Sequence, residues 1–228
     1  MAHWAPLESN PEVLNEFLKY LGVKDSVGFH DVYGLDDELL MMVPQPCLSL
    51  VFLFPTSALS TEKRLEIANK NVFNDQDQNK ISPYFVKQTI RNACGAIAVI
   101  HSLSNNTNSI SLEDGIFQKF LKSTQDLSSL EKGNFLEKTS EFANANSIIS
   151  SQGQTTPVSA DADIDLHFVS FVLNNGYLVE LDGRLEHPII HAKSDNLLSS
   201  AASVIKKYMS INPNEPNYSI IALSTQDF

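Results

Sequence analysis

The sequence predicts a single domain of interleaved helices and strands, an α+β or α/β fold with at least one antiparallel hairpin. Three observations carry this. The chain has 228 residues, 43% hydrophobic and 19% charged, enough for one well-buried core. Apolar residues recur at helical spacing in some segments and form short continuous runs in others. Between two such runs, Leu166–Leu173 and Tyr177–Leu181, stand Asn174-Asn175-Gly176. Asn-Gly is the strongest short hairpin signal.

Taken in order, Asn10-Pro11 opens a helix, with Asn as N-cap and Pro in the first position. Val13, Leu14, Phe17, Leu18 and Leu21 form its inner face, and Gly22 ends it. Phe29–Tyr33 alternates weakly, as a short strand. Asp36–Met42 reads as a short helix stopped by Pro44 and Pro46. Leu48–Phe54 is a buried strand between prolines. Thr61 caps a polar helix to about Asn69, and 74–80 is polar enough to be a loop. Tyr84–Lys87 is an extended lead into the segment Gln88–His101, which an Asn-rich turn, Asn105–Asn108, follows. Ser111–Leu121 and Leu130–Ala145 read as amphipathic helices, with Phe117, Phe120 and Leu121 inward on the first and Phe135, Leu136 and Phe142 on the second. Ser150–Asp165 is sixteen residues with almost no apolar content. Loops of that length are usually lids, binding loops or disordered. Pro188–Ala192 is a strand, Ser194 or Asp195 caps a last helix to about Met209, and Tyr218–Leu223 is a final strand.

The formal net charge of −11 comes with no basic patch, which argues against nucleic acid as a partner. No membrane partner is expected either: Met1–Asn10 lacks the apolar core of a secretory signal, and Leu48–Phe54 is too short to span a bilayer. No metal or other cofactor is expected. His187 and His191 are four apart, but Pro188 interrupts them, and there is no Cys-x-x-Cys or glycine-rich phosphate loop. The two cysteines, Cys47 and Cys94, read as free thiols in a reducing cytoplasm or nucleus. Cys47, at the start of an apolar strand, is structural.

The chemistry points to Gln88–His101. Asn92 is suited to cap a helix, and Ala93–Ile100 is apolar on every side, as a helix in the centre of a domain must be. Cys94 then sits in the first turn, where unsatisfied N–H groups and the helix dipole favour a thiolate. Gln88 could aim its side-chain NH2 at a developing oxyanion, beside the Cys94 N–H. Taken alone, Cys94 fits a small core residue and Gln88 an ordinary loop residue. The hairpin supplies the other half. If Asn175-Gly176 is a two-residue loop, Val169 opposes Asp182 and His167 becomes its diagonal neighbour on one face. A carboxylate beside an imidazole fixes its tautomer and stabilises its protonated form, which a thiol–imidazole pair needs. Asp163 and Asp165 are rival partners for the ring.

Gln88, Asn92-Ala93 and Cys94-Gly95, in this order and spacing, resemble the active-site motif of the ubiquitin carboxyl-terminal hydrolases (UCH), a family of thiol deubiquitinases. Arg91 and Ala96 depart from it, standing where the family commonly has a small residue and often has Thr. Pro6-Leu7-Glu8-Ser9-Asn10-Pro11 resembles the family's opening. Leu166-His167-Phe168 and Glu180-Leu181-Asp182-Gly183-Arg184 complete the family order Gln, Cys, His, Asp. The resemblance runs from Pro6 through the final strand, as a small single-domain, fungal-type member. It implies a papain-like fold, a central, mostly antiparallel sheet flanked by helices on both sides, with a knotted backbone. It implies Cys94 as nucleophile, His167 as general base and acid, Asp182 as its orienting acid and Gln88 as oxyanion stabiliser. It also implies a ubiquitin-binding surface that includes Pro6, Leu7 and Glu8, and a crossover loop, Ser150 to Asp165, that restricts leaving groups to small or unfolded ones. Ubiquitin is the partner implied. NEDD8 with the same chemistry, or a slow ubiquitin-binding protein, are the alternatives. A monomer in the cytoplasm, also nuclear, is expected.

Overall fold

The structure, a computed structural model, describes residues 2–69, 80–156 and 158–225. Its strands are β1 (Val27–Asp31), β2 (Cys47–Pro55), β3 (Leu166–Asn174), β4 (Tyr177–Leu181), β5 (Ile189–Lys193) and β6 (Ser219–Thr225). Its helices among the described residues are α1 (Pro11–Leu21), α2 (Asp37–Leu40), α3 (Thr61–Ala68), α4 (Cys94–Ser104), α5 (Ile116–Thr124), α6 (Ser129–Lys138), α7 (Ser140–Ile149) and α8 (Leu197–Met209). The expected loop at 74–80 lies outside the described residues except for Lys80.

The organising strand is β2, in which every residue after Cys47 is buried. A strand apolar on both faces needs a covering layer on each. Val51 and Leu53 join the core with α1, α4, α5 and α7, while Leu50, Phe52 and Phe54 join the core with α8. A bulge between Cys47 and Ser49 marks where this alternation begins. The sheet order is β1-β6-β2-β3-β4-β5, and every pairing is antiparallel. This is the expected sheet with helices on both sides. The final strand does not lie at an edge: β6 is inserted between β1 and β2.

Helix α1 follows its sequence signals. Asn10 accepts from Glu12 N–H at 2.9 Å, Pro11 is first, and Gly22 closes the helix at φ 84. Other boundaries move for local reasons. Residues 111–115 are not helical: Leu112 bridges to Val23, and Glu113 N–H donates to the Gly22 carbonyl at 2.8 Å. The segment Leu130–Ala145 is two helices, broken at Thr139. That residue takes φ −88, ψ 99, and its hydroxyl bonds back to the Phe135 carbonyl in competition with the helix ladder. Phe135 is half-exposed, whereas Leu136 and Phe142 are buried. The caps of α3 and α8 are Ser60 and Asn196, one residue before Thr61 and one after Asp195.

His101 is fully buried on the last turn of α4, stacked on Phe85 at 5.2 Å, and its Nε2 accepts from Val86 N–H at 3.0 Å. Burial lowers its pKa to about 4, against opposing effects of Asp182 and the backbone. Between pH 6.5 and about 4 the unfolded chain therefore binds a proton here that the folded chain refuses. Stability is fully present above pH 6.5 and falls as the pH drops through this window, by roughly 3 kcal/mol for this one group. His101→Gln is expected to flatten the fall of Tm between pH 6.5 and 4; an unchanged slope in thermal melts would refute this assignment.

Candidate active site

Every residue of α4, from Cys94 onward, is buried. A helix with no polar face is not oriented by a solvent boundary. Three buried hydroxyls do that work: Ser102 on α4, Ser49 on β2 and Ser170 on β3 contact one another at 2.8–2.9 Å. The Ala98 and Phe171 carbonyls lie within reach of the same cluster. A satisfied buried network of this kind fixes the height and rotation of the helix, and so of Cys94.

The expected cap of α4 is corrected by the structure. Ala93 precedes the helix without a side-chain cap, and Asn92 stands at φ 60, a region that asparagine tolerates better than most residues. The Asn92 amide instead donates to the Ala160 and Ala162 carbonyls, at 2.9 and 3.2 Å. A tertiary partner has outcompeted the local one. The first turn keeps its backbone N–H groups beside the Cys94 sulfur, free of any side-chain cap.

Across the site, Asn175 and Gly176 both have positive φ, 49 and 81, and Asn174 pairs with Tyr177 as the two-residue loop requires. Extending the ladder by one residue sets Val169 opposite Asp182. His167 is then the diagonal neighbour, with its Nε2 at 2.7 Å from Asp182 Oδ1. The same oxygen accepts from Arg184 N–H at 2.9 Å, and Oδ2 accepts from the Arg64 guanidinium. The rival acids face elsewhere. Asp163 pairs with Arg91 at 3.4 Å, and Asp165 accepts from Thr56 and Ser57.

With Nε2 committed to Asp182, Nδ1 is the ring nitrogen left for a thiol; it is buried and, among the described residues, has no partner at hydrogen-bond geometry. Burial is the largest influence on each of the three groups and disfavours each charged form, yet their mutual interactions outweigh it. Burial raises the Cys94 thiol, and His167, then the Phe168 backbone N–H, then Arg184 bring it below its ordinary value. Burial lowers His167, and Asp182 with Cys94 lifts it above the usual imidazole range. Burial raises Asp182, and His167 with Arg64 holds it well below the usual carboxylate range. The trio thus favours thiolate, imidazolium and carboxylate together. Cys47, the other free thiol, has no such partners, and burial pushes it up to about 12.

Gln88 closes the corner. Its N–H donates to the Gly183 carbonyl at 2.8 Å, and a Cβ on Gly183 would come within 3.0 Å of Gln88 Cβ and 2.9 Å of Ile97 Cγ2. Glycine after Asp182 therefore lets the Gln88 segment pack directly on the acid's turn. The Gln88 amide donates one proton to the Ile90 carbonyl at 2.9 Å, which leaves the other free of that bond.

Cys94 opens onto a cleft of about 430 Å³, lined by Pro6, Leu7 and Glu8 of the N-terminal arm, by Leu166 and Phe168 of β3, and by Thr155, Val158 and Ile164 of the long loop. The sulfur's residue is only 6% exposed. The loop crosses the cleft and is tied along its length. Glu8 accepts from Thr155 N–H and hydroxyl at 3.0 and 2.7 Å, Asn92 holds Ala160 and Ala162, His3 meets Asp161 at 2.8 Å, and Asp165 anchors the end. Ser9, just before the cap of α1, bonds Ser219 on β6 at 2.8 Å.

Residues 4–210 match the family model described as ubiquitin carboxyl-terminal hydrolase, family 1. The chain belongs to this family. It is 44% identical over 225 residues to ubiquitin carboxyl-terminal hydrolase 3 of Arabidopsis thaliana, covering 97% of this chain and 94% of that one. It is 36% identical over 223 residues to ubiquitin carboxyl-terminal hydrolase isozyme L1 of Rattus norvegicus, covering 96% of each. The structure is similar to that of the Trichinella spiralis UCH37 catalytic domain bound to ubiquitin vinyl methyl ester, with a TM-score of 0.77 at 22% identity, covering 100% of this chain and 97% of that one. That likeness shows the UCH fold.

Two residues of this UCH family member's site take no role from the sequence: Arg64 lies outside every motif, and Glu180 lies inside the Glu180–Arg184 segment without a part of its own. Arg64 sits on a helix whose sequence reads only as polar, and Glu180 on β4 reads as part of a strand. The available hint is Glu180 itself, a lone acid in the otherwise apolar Tyr-Leu-Val-Glu-Leu.

Proposed function

We propose that the chain is a thiol hydrolase acting at the carboxyl-terminal glycine of ubiquitin. The observation that carries the reading is the buried Cys94, His167 and Asp182 trio, whose mutual interactions favour the charged form of each, at a cleft beneath a tethered loop. In this reading Cys94 Sγ attacks the glycine carbonyl. The oxyanion is met by the Cys94 N–H and the remaining amide proton of Gln88. His167 gives its proton to the leaving amine, and water, deprotonated by His167, releases the thioester. Asp182 holds the ring. The family membership and the ubiquitin-derived ligand named in the Trichinella structure support ubiquitin as the substrate.

Ubiquitin bearing a thiol-reactive carboxyl terminus is expected to label the protein stoichiometrically, with the adduct mapping to Cys94. Labelling elsewhere, or none, would sink the reading. Parallel fluorogenic ubiquitin and NEDD8 amides test the modifier, with ubiquitin expected to be turned over faster.

The tethered loop also supports a preference for small or unfolded leaving groups, because whatever is attached to ubiquitin must pass beneath it. Asn92→Gly keeps the positive φ but releases the loop from two carbonyls. It is expected to raise the rate on ubiquitin joined to a folded protein relative to a small ubiquitin amide. An unchanged ratio would show that these bonds do not gate the leaving group.

A further inference from the structure

Behind Asp182 lies a second buried acid. Glu180 and Asp182 are two residues apart at the end of β4, so their side chains share a face, and both are inaccessible to solvent. A single guanidinium, that of Arg64 on α3, lies between them. Nη1 donates to Glu180 and Nη2 to Asp182, and Arg64 is itself only 2% exposed. Glu180 is further held by Tyr208 of α8, whose hydroxyl donates at 2.7 Å, and by His191 Nε2 of β5 at 2.8 Å. The Arg64 guanidinium also sits 5.1 Å over the Phe54 ring, which meets the His167 ring edge-on at 5.8 Å.

Charge counting gives the arrangement a consequence. Two carboxylates share one cation, which leaves an excess of one negative charge in a region closed to water. Two imidazoles face the acids: His191 stands against Glu180 beside Tyr208, and His167, on the open side of Asp182, is the ring whose protonation offsets the charge on that acid. We infer that Arg64 and Glu180 are positioning residues for the thiol hydrolysis proposed above: Glu180 draws on Arg64's charge, and the unneutralised remainder on Asp182 keeps His167 an imidazolium. A protonated ring is what the leaving amine requires, so the pair sets how far into the alkaline range the enzyme works. The other titratable groups around this corner are Cys94 and Arg184 on the substrate side, His101 on α4, and His191 and Tyr208 against Glu180. The directions found for the two acids agree: Asp182 and Glu180 are both held below the ordinary carboxylate range.

The test is the pH profile of kcat/KM on a fluorogenic ubiquitin amide, read on its descending alkaline limb, where the thiolate–imidazolium pair loses its ring proton. Glu180→Gln removes one anion and is expected to move that limb down by about half a unit to one unit. Arg64→Gln removes the cation and is expected to move it up. The double variant R64Q/E180Q restores the excess of one negative charge and is expected to return the limb to within about 0.3 units of the parent, well inside the single-variant shifts. It also keeps the test open if either single change prevents folding. Opposite shifts that cancel in the double variant support the inference. A pair that only braces α3 against β4 would lower Tm in all three and move no limb, and that result overturns it, as do shifts of one sign. If the parent protein shows no ubiquitin hydrolysis at all, the proposed function fails instead, and the two failures are told apart before any variant is made.

Discussion

Cys94→Ala is expected to reduce hydrolysis of a ubiquitin carboxyl-terminal amide to background, a loss of about 10⁵-fold or more, as removal of a nucleophile does elsewhere. Ubiquitin binding should survive. The nucleophile's Sγ contributes little surface, and the cleft is built mainly by other residues: Pro6, Leu7 and Glu8 on the arm, Phe168 on β3 and the tethered loop. The fold should survive as well. Alanine is close in size to cysteine, Ala93 and Ala96 already stand in the same helical segment, and the serine cluster that fixes α4 is untouched. The measurement pairs turnover of a fluorogenic ubiquitin amide with a ubiquitin-binding titration. Residual turnover within tenfold of the parent would move the chemistry away from this sulfur.

Asp182→Asn is the second large effect. Asp182 Oδ1 holds His167 at 2.7 Å and Oδ2 takes half of the Arg64 fork, so the neutral isostere changes charge while leaving shape. An asparagine can turn its NH2 toward the ring, leaving the ring proton on the nitrogen that should face the thiol. Even with its oxygen turned to the ring it stabilises imidazolium less than a carboxylate does. A loss of about 10²- to 10⁴-fold in kcat/KM is expected, with the alkaline limb of the pH profile moved down. Because Arg64 keeps Glu180 as a partner, the folded state should persist, with a lowered Tm. A variant with the parent's rate and pH profile would show that His167 needs no acid behind it.

Much of this site is legible in the chain itself because its signals are local. A helix apolar all round that begins at a cysteine must be central and must bury its thiol near its first turn. An Asn-Gly between two apolar runs fixes a two-residue hairpin, and parity along two strands then brings His167 to Asp182, as found. Asn10-Pro11 and Gly22 bound α1 as written, since each acts on its own helix end. The long polar stretch from Ser150 to Asp165 announces a loop by its length and composition, and its position just before His167 points to the site.

What the fold decided lies where a side chain had two suitors. Asn92 has the chemistry of a helix cap, yet its amide went to Ala160 and Ala162, partners about seventy residues away that no local rule can weigh. Thr139 broke a segment whose periodicity looked continuous. The last strand, β6, lies between β1 and β2, a pairing of segments far apart in the chain that no local signal specifies. Arg64 shows the limit most plainly. On α3 it is one charge among several, and only the packing of that helix against β4 makes it the shared cation of two buried acids. Sequence determines what each residue is able to do within a few turns of itself. The choice among distant partners is made by burial, where an unpaired charge or amide costs too much to leave alone.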